Sequence, residues 1–188
     1  MIVLEGPDGS GKTSLASAIR TTLAPDLPLV PKIVGSDARP PRSMKVWTDE
    51  HLAAGFQYRM YDRFPLISDS IYAPVLGRAP FLAPGAETGY RYSQFYNGVD
   101  PIIIYCLPPF ETIWANIQRE DTDNSVVNDL GRARQIYDLY RLRADQDYSR
   151  PGLTMYVYDY TQVPLGAPLA TEEINELIRE LQSRAGKN

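Results

Sequence analysis

The stretch GPDGSGKT, Gly6 to Thr13, has the spacing G-x-x-x-x-G-K-S/T. Glycines so spaced let the backbone curl until successive N–H groups point inward around a phosphate. A helix opening behind them aims its positive end at the same place. In such a loop Lys12 reaches the β- and γ-phosphates and Thr13 offers its hydroxyl to Mg²⁺. Gly6, Pro7, Asp8, Gly9, Ser10, Gly11, Lys12, Thr13 and Ser14 are therefore the candidate nucleotide-binding residues, with ATP and Mg²⁺ as the expected ligands. The competing reading is a glycine-rich turn without function. The context disfavours it, because the segment follows an apolar run, Ile2 to Glu5, and opens a helical pattern.

Phosphate loops serve several chemistries, and the rest of the sequence narrows them. The guanine-specifying tetrapeptide N-K-x-D does not occur, nor does the L-S-G-G-Q of transporter ATPases. The apolar run Ile102 to Leu107 ends without the acidic residue that such ATPases use to hold a metal. What remains are small kinases, which use the loop to present ATP and build the acceptor site from the rest of the fold.

A second dense passage is YDRFPLISDSIYAPVLGR, Tyr61 to Arg78. Its Asp62-Arg63-Phe64, followed by Ser68 and Tyr72, resembles the D-R-aromatic signature of thymidylate kinases and deoxynucleoside kinases. The sharp motifs cover residues 6–13 and 62–78, while the order of elements matches over most of the chain. This version is most similar to the short kinase-like proteins of tailed phages, whose relatives include kinases of 5-hydroxymethyluracil already in DNA. The resemblance implies that Asp62 holds Mg²⁺ or its waters and that Arg63 clamps a phosphoryl oxygen in a bidentate fork. Phosphoryl transfer asks mainly for alignment and charge neutralisation, so a carboxylate, an arginine, a lysine and a metal suffice. The competing reading for Asp62 and Arg63 is a structural salt bridge. Ser68, Asp69 and Tyr72 are candidates to line the acceptor pocket, with Arg78 at its far edge.

The sequence also departs from that family. In thymidylate kinases a carboxylate or arginine after the second strand meets the acceptor, and here the acid at that place is Asp37, a candidate general base or a turn former. Arg39 and Arg42 are candidates for an acceptor phosphate, or decorate a solvated loop. The family also closes an arginine-bearing lid. Arg119 is the best-placed candidate, with Arg132 and Arg134 weaker, since charges on an amphipathic helix usually face water. Tyr90, Tyr92, Phe95 and Tyr96 either stack a base whose edge Gln94 reads or pack a sheet edge. His51 reads as a surface helix residue with no metal-ligand spacing around it.

The elements that must position these groups are visible as alternating patterns. Strands are expected at Ile2 to Glu5, Leu29 to Val34 with Pro31 at an edge or bulge, Phe56 to Asp62, Pro101 to Leu107, and Thr154 to Tyr160. A helix is expected from about Lys12 to Leu23, with Leu15, Ala18, Ile19 and Leu23 on one face. Phe110, Ile113, Trp114 and Ile117 mark another. Ile136, Leu139 and Tyr140 mark a longer one from about Leu130 to Tyr148. Ile174, Leu177, Ile178 and Leu181 mark the last, with Thr171 as N-cap. The segments 35–45 and 77–90 read as loops. Strands alternating with helices imply an α/β fold, a three-layer phosphate-loop kinase domain over residues 1–188 with a parallel sheet of about five strands.

Composition agrees with one globular domain: 188 residues, 44% hydrophobic and 22% charged. The net charge of −4 argues against an overall field that attracts nucleic acid. The single cysteine, Cys106, sits in an apolar run and reads as a core thiol. No membrane segment or secretory signal is visible, so a cytoplasmic protein is expected, in the host cytoplasm if phage-encoded. Three functions stay open. The first is a kinase of a deoxynucleoside or deoxynucleoside monophosphate. The second is a kinase of 5-hydroxymethyluracil in DNA, with Arg39, Arg42, Lys45, Arg91 and Tyr92 gripping the strand. The third is an ATP-binding switch without transfer chemistry. The partner is thus a free nucleotide or nucleoside or a DNA carrying a modified base, and a homodimer is compatible with either.

Overall fold

A computed structural model of the chain describes residues 1–32, 44–119, 127 and 129–186. Five strands form one parallel sheet: β1 (Ile2–Glu5), β2 (Leu29–Val30), β3 (Met60–Asp62), β4 (Ile102–Cys106) and β5 (Met155–Tyr158), in the order β2-β3-β1-β4-β5. In the central strand Ile2 pairs with Met60 on one side and with Ile102 on the other. Seven α-helices lie among the described residues: α1 (Lys12–Thr22), α2 (Met44–Ala53), α3 (Pro65–Val75), α4 (Ala86–Ser93), α5 (Phe110–Arg119), α6 (Leu130–Tyr148) and α7 (Glu172–Arg184). No helix among these residues is long and apolar enough to cross a membrane.

The alternation of side chains along each strand sorts the core into two layers. Val3, Tyr61, Ile103 and Tyr105 face a cluster built from α2, α3, α5 and α6, including Leu52, Ile67, Ile113, Ile136 and Tyr140. Ile2, Leu4, Met60, Ile102, Ile104 and Cys106 face the other way, onto Leu15, Ala16 and Ile19 of α1 and Ile174, Ile178 and Leu181 of α7. Burial on both faces explains why β1 and β4 read as unbroken apolar runs. Cys106 lies in that second layer, and burial pushes its thiol up to about 12. This is the expected core cysteine.

Several expected boundaries shift. β2 spans only Leu29–Val30, and residues 33–34 lie outside the described residues. β2 is the sheet's edge, where Pro31 just beyond it removes no ladder bond. β3 begins at Met60 rather than Phe56, because Gly55 takes a left-handed φ of 67° and the chain joins the sheet only after it. Helices α2 and α4 start inside the two segments that read as loops, at Met44 and Ala86. On α1 the buried face carries Ala16 rather than Ala18. Thr171 does stand at the N-cap of α7, but its hydroxyl makes no capping hydrogen bond.

The passage Pro65 to Val75 is helical, with Pro65 at the first position where a missing N–H is harmless. Ser68 donates to the Phe64 carbonyl at 3.3 Å and Ser70 to the Ile67 carbonyl at 2.7 Å, so both hydroxyls serve the helix backbone.

Candidate active site

Strand β1 ends at Glu5, and the chain turns through the glycine-rich loop into α1. Gly6 holds φ at 141°, and a Cβ there would lie 2.5 Å from the Cys106 carbonyl oxygen. Gly11 holds φ at 83°, and its Cβ would strike the Tyr160 ring at 2.9 Å. The loop therefore has its shape only with glycine at both places.

Lys12 folds back into the loop. Its ammonium donates to Gly6 O at 2.9 Å, Pro7 O at 2.6 Å and Ser10 Oγ at 3.2 Å, which uses all three protons. The side chain is buried, and burial, aided by the Arg63 charge, lowers its pKa to about 8 against the opposing pull of Asp8 and Asp62. All three bonds go to uncharged oxygens, so the ammonium keeps its charge without a direct ion pair among the described residues and could pair with an anion such as phosphate. Thr13 and Ser14 stand exposed in the first turn of α1.

Across β1, strand β3 delivers the second group of residues. Arg63 leaves the strand with its N–H on the Leu4 carbonyl at 2.9 Å and its own φ at +68°. For a residue with a side chain that region is strained by about 1–3 kcal/mol, so the surroundings must hold it there. The reward is reach. Arg63 Nε donates to Gly6 O at 3.2 Å, and Nη2 donates to Asp8 Oδ1 and to the Tyr72 hydroxyl, both at 2.8 Å.

Tyr72, from α3, accepts the Asp8 N–H at 3.2 Å and donates to Asp8 Oδ2 at 3.3 Å. Lys32 adds an ion pair to Asp8 at 3.4 Å. Burial pushes the Asp8 carboxyl up, but Arg63, Lys12 and Lys32 outweigh it and hold it well below the usual carboxylate range. By sequence Asp8 is only one position of the loop. In the fold it is the hub that joins the loop to the D-R-F passage, which no spacing rule reveals because its partners lie 24 to 64 residues away.

Asp62 stands beside this group at the end of β3. Its Oδ1 is buried without a hydrogen-bond partner, while its charge raises the pKa of Lys12. An orphaned carboxylate oxygen next to a phosphate loop fits a cation ligand. Among the described residues no cluster of three or more His, Cys, Asp or Glu side chains forms a cage for a metal. An ion here would need oxygen atoms from a nucleotide and from water.

On the far side of the loop Asn116, from α5, donates to Gly9 O at 2.8 Å and to the Tyr160 hydroxyl at 2.7 Å. Arg119 donates to Asn116 Oδ1, which brings this lid candidate next to the loop. Arg132 and Arg134 are exposed on α6, and Arg134 pairs with Asp138 at 3.3 Å. Neither Asn116 nor Tyr160 carries a sequence signal beyond its type.

The other predicted residues divide differently. Arg78 pairs with Asp69 at 2.6 Å, and the other Asp69 oxygen accepts the Phe81 N–H at 2.8 Å, so the two pin the chain that leaves α3. Lys45 and Arg91 both bind Glu87, and Arg91 also clasps Asp49 at 2.6 Å and 2.9 Å. Phe95 and Tyr96 are buried in the core, where Phe95 stacks on Phe64 with centroids 4.8 Å apart. Tyr92 donates to Leu66 O at 2.6 Å, while Tyr90 is exposed and accepts from Gln94 at 2.7 Å. His51 lies on α2, half-buried, stacked on Trp47 at 3.8 Å. Asp37, Arg39 and Arg42 lie outside the described residues.

No protein-family model matches the chain, and no curated protein matches it in sequence. Solved structures do match. The YorR protein from Bacillus subtilis, in complex with phosphorylated GDP, superposes with a TM-score of 0.64 at 17% identity, over 100% of this chain and 98% of that one. Deoxyadenosine kinase from M. mycoides with bound dCTP gives a TM-score of 0.56 at 18% identity, covering 97% and 100%. The same enzyme with dATP gives 0.55 at 16%, covering 97% and 98%. With its five parallel strands, its flanking helices and its glycine-rich turn after β1, the chain has the three-layer fold of the phosphate-loop nucleoside kinases.

Proposed function

We propose that the chain is an ATP-dependent phosphotransferase that moves the γ-phosphate to a deoxynucleoside or a deoxynucleoside monophosphate, with a thymidine- or thymidylate-like acceptor as leading candidate. One observation carries this reading: Arg63, in a strained left-handed conformation, is brought by β3 onto the phosphate loop and bonds Gly6, Asp8 and Tyr72 there. The carboxylate of Asp62 stands beside this arginine at the end of the same strand. A transferase needs both, to align two anionic groups and neutralise the charge between them.

In this reading Lys12 turns from the Gly6 and Pro7 carbonyls to the β- and γ-phosphates, and Arg63 takes an oxygen of the transferred or accepting phosphoryl group. Magnesium would be held by the Thr13 hydroxyl and by Asp62, whose Oδ1 has no hydrogen-bond partner. Bound there it supplies charge neutralisation at the phosphoryl group. Arg119, next to Asn116, is the donor-side arginine. Asp37 stays the candidate base for a hydroxyl acceptor, with Arg39 and Arg42 as candidate contacts to an acceptor phosphate. The deoxynucleotides bound to the M. mycoides enzyme favour a deoxynucleoside or its phosphate as acceptor.

Modified DNA as acceptor gains no such support. Of the residues expected to grip a strand, Lys45 and Arg91 are engaged with Glu87, and the Tyr92 hydroxyl is bonded to the α3 backbone. The experiment is a panel assay. ATP labelled at the γ-phosphate is incubated with thymidine, each deoxynucleoside monophosphate, and DNA with and without 5-hydroxymethyluracil. Label in a free nucleotide product supports the proposal, and slow hydrolysis indifferent to every acceptor favours the switch.

A further inference from the structure

Glu5 is the last residue of β1 and is fully buried, yet neither the loop motif nor the D-R-F passage includes it. Its carboxylate is held from two directions. Oε1 accepts the Phe64 backbone N–H at 2.7 Å, and Oε2 accepts the Tyr140 hydroxyl at 3.1 Å. Phe64 is the N-cap of α3 and follows the left-handed Arg63 directly. The strained residue is thus fixed on both sides, by its own N–H on Leu4 O and by the next N–H on Glu5.

Burying a carboxyl group is costly unless specific partners repay its desolvation, and here the Phe64 N–H, the Tyr140 hydroxyl and the nearby Arg63 charge do so. Packing alone would be served better by an apolar residue of similar volume. What Glu5 adds is an acceptor for the Phe64 N–H, the second of the two backbone bonds that flank the strained residue.

We propose that Glu5 is a positioning residue for phosphoryl transfer: its carboxylate, clamped between the Phe64 N–H and the Tyr140 hydroxyl, locks the β3–α3 turn in the form that presents Arg63 to the phosphate loop. The role rests on the transferase reading above. Glu5 itself touches no substrate and acts through Arg63. Tyr140 extends the lock to α6, so the turn is held to β1 and to the helix that packs against α3.

The test is a double-mutant cycle on the full chain, comparing wild type, Glu5→Val, Arg63→Ala and the pair. Transfer rates are measured together with amide exchange at Phe64 by NMR. Glu5→Val is expected to slow transfer about 10²-fold, the size of effect that misplacement by an ångström produces. Added to Arg63→Ala it slows nothing further, because the group it positions is gone. Phe64 exchange quickens in Glu5→Val, and Glu5→Gln, which keeps an acceptor, restores both protection and most of the rate.

Losses that multiply in the double variant, or a Phe64 amide as protected in Glu5→Val as in wild type, overturn the proposal. If wild type transfers phosphate to no acceptor, the transferase reading fails and the role with it. Quickened Phe64 exchange in Glu5→Val then separates that failure from failure of the clamp. Should Glu5→Val not fold, Tyr140→Phe takes its place in the cycle. A smaller loss that vanishes on the Arg63→Ala background is expected, and one that persists there contradicts the proposal.

Discussion

Arg63 and Asp8, 55 residues apart in sequence, close an ion pair of 2.8 Å that ties the turn after β3 to the phosphate loop. The contact is partly shielded from solvent and joined by the Tyr72 hydroxyl, so geometry matters as much as charge. Arg63→Lys keeps the charge but loses the fork that spans Gly6, Asp8 and Tyr72. It should lower kcat/KM for transfer by about 10²-fold or more, the loss typical of one oriented electrostatic donor. Steady-state kinetics against the acceptor check this, and a lysine variant as active as wild type would show that charge alone suffices.

Proton linkage at Lys12 gives the second prediction. Its folded pKa of about 8 lies below the ordinary 10.5, so the free protein binds fewer protons there than the unfolded chain between those values. Stability therefore rises with pH across that window, and if ATP pairs with the ammonium as proposed, its affinity falls there. Calorimetry near pH 8.5 in buffers of different ionisation enthalpy should detect proton uptake on ATP binding, and Lys12→Met should abolish it.

Glu5 titrates in the opposite sense. Burial raises its pKa to about 7 from 4.5, against the Phe64 N–H, Arg63 and Tyr140. The folded chain keeps this proton where the unfolded chain has lost it, so stability falls as pH climbs from 4.5 to 7. Urea unfolding of wild type and Glu5→Gln across that range should show the slope in the first and a flatter line in the second.

On the proposed donor side, Asn116 of α5 hydrogen-bonds both the loop carbonyl of Gly9 and the Tyr160 hydroxyl. Asn116→Ala leaves both without that partner. It should weaken ATP binding by about tenfold, the worth of one well-made polar contact, with little effect on acceptor binding. Titration with ATP and with acceptor separately measures both.

Away from the site, Asp147 is buried among the hydroxyls of Tyr96 and Tyr105, at 3.0 Å and 2.6 Å, and the guanidinium of Arg143 at 3.3 Å. Asp147→Ala strands a largely buried arginine and should lower unfolding free energy by about 3–5 kcal/mol. Denaturant midpoints test this, with transfer activity unchanged at temperatures where the variant remains folded.

How much of this was legible beforehand depended on the range of the interaction. The apolar runs of β1 and β4, the spacing of Phe110, Ile113 and Ile117, and the loop motif are local, and each appears where its pattern says. The helix Pro65–Val75 was obscured because two prolines and two serines resemble a polar loop. The prolines occupy the first and penultimate positions of the helix, and the serines bond its own backbone.

The site itself was half legible. Lys12, Asp62 and Arg63 carry motif signals, and the fold gathers them. Glu5, Lys32, Asn116 and Tyr160 have none, since their relevance comes from the parallel crossovers that bring the end of β1, the end of β3, α5 and the segment after β5 together at the carboxyl ends of the strands. Arg78, which reads as a phosphate contact by type, pairs with Asp69 in the fold.

The most direct test of the account is transfer of labelled γ-phosphate from ATP by wild type and by Lys12→Ala, offered free deoxynucleosides, their monophosphates and hydroxymethyluracil DNA together. Label is expected in a free deoxynucleotide product with wild type, and essentially none with Lys12→Ala. Equal transfer by both proteins, or label confined to the DNA, would contradict this.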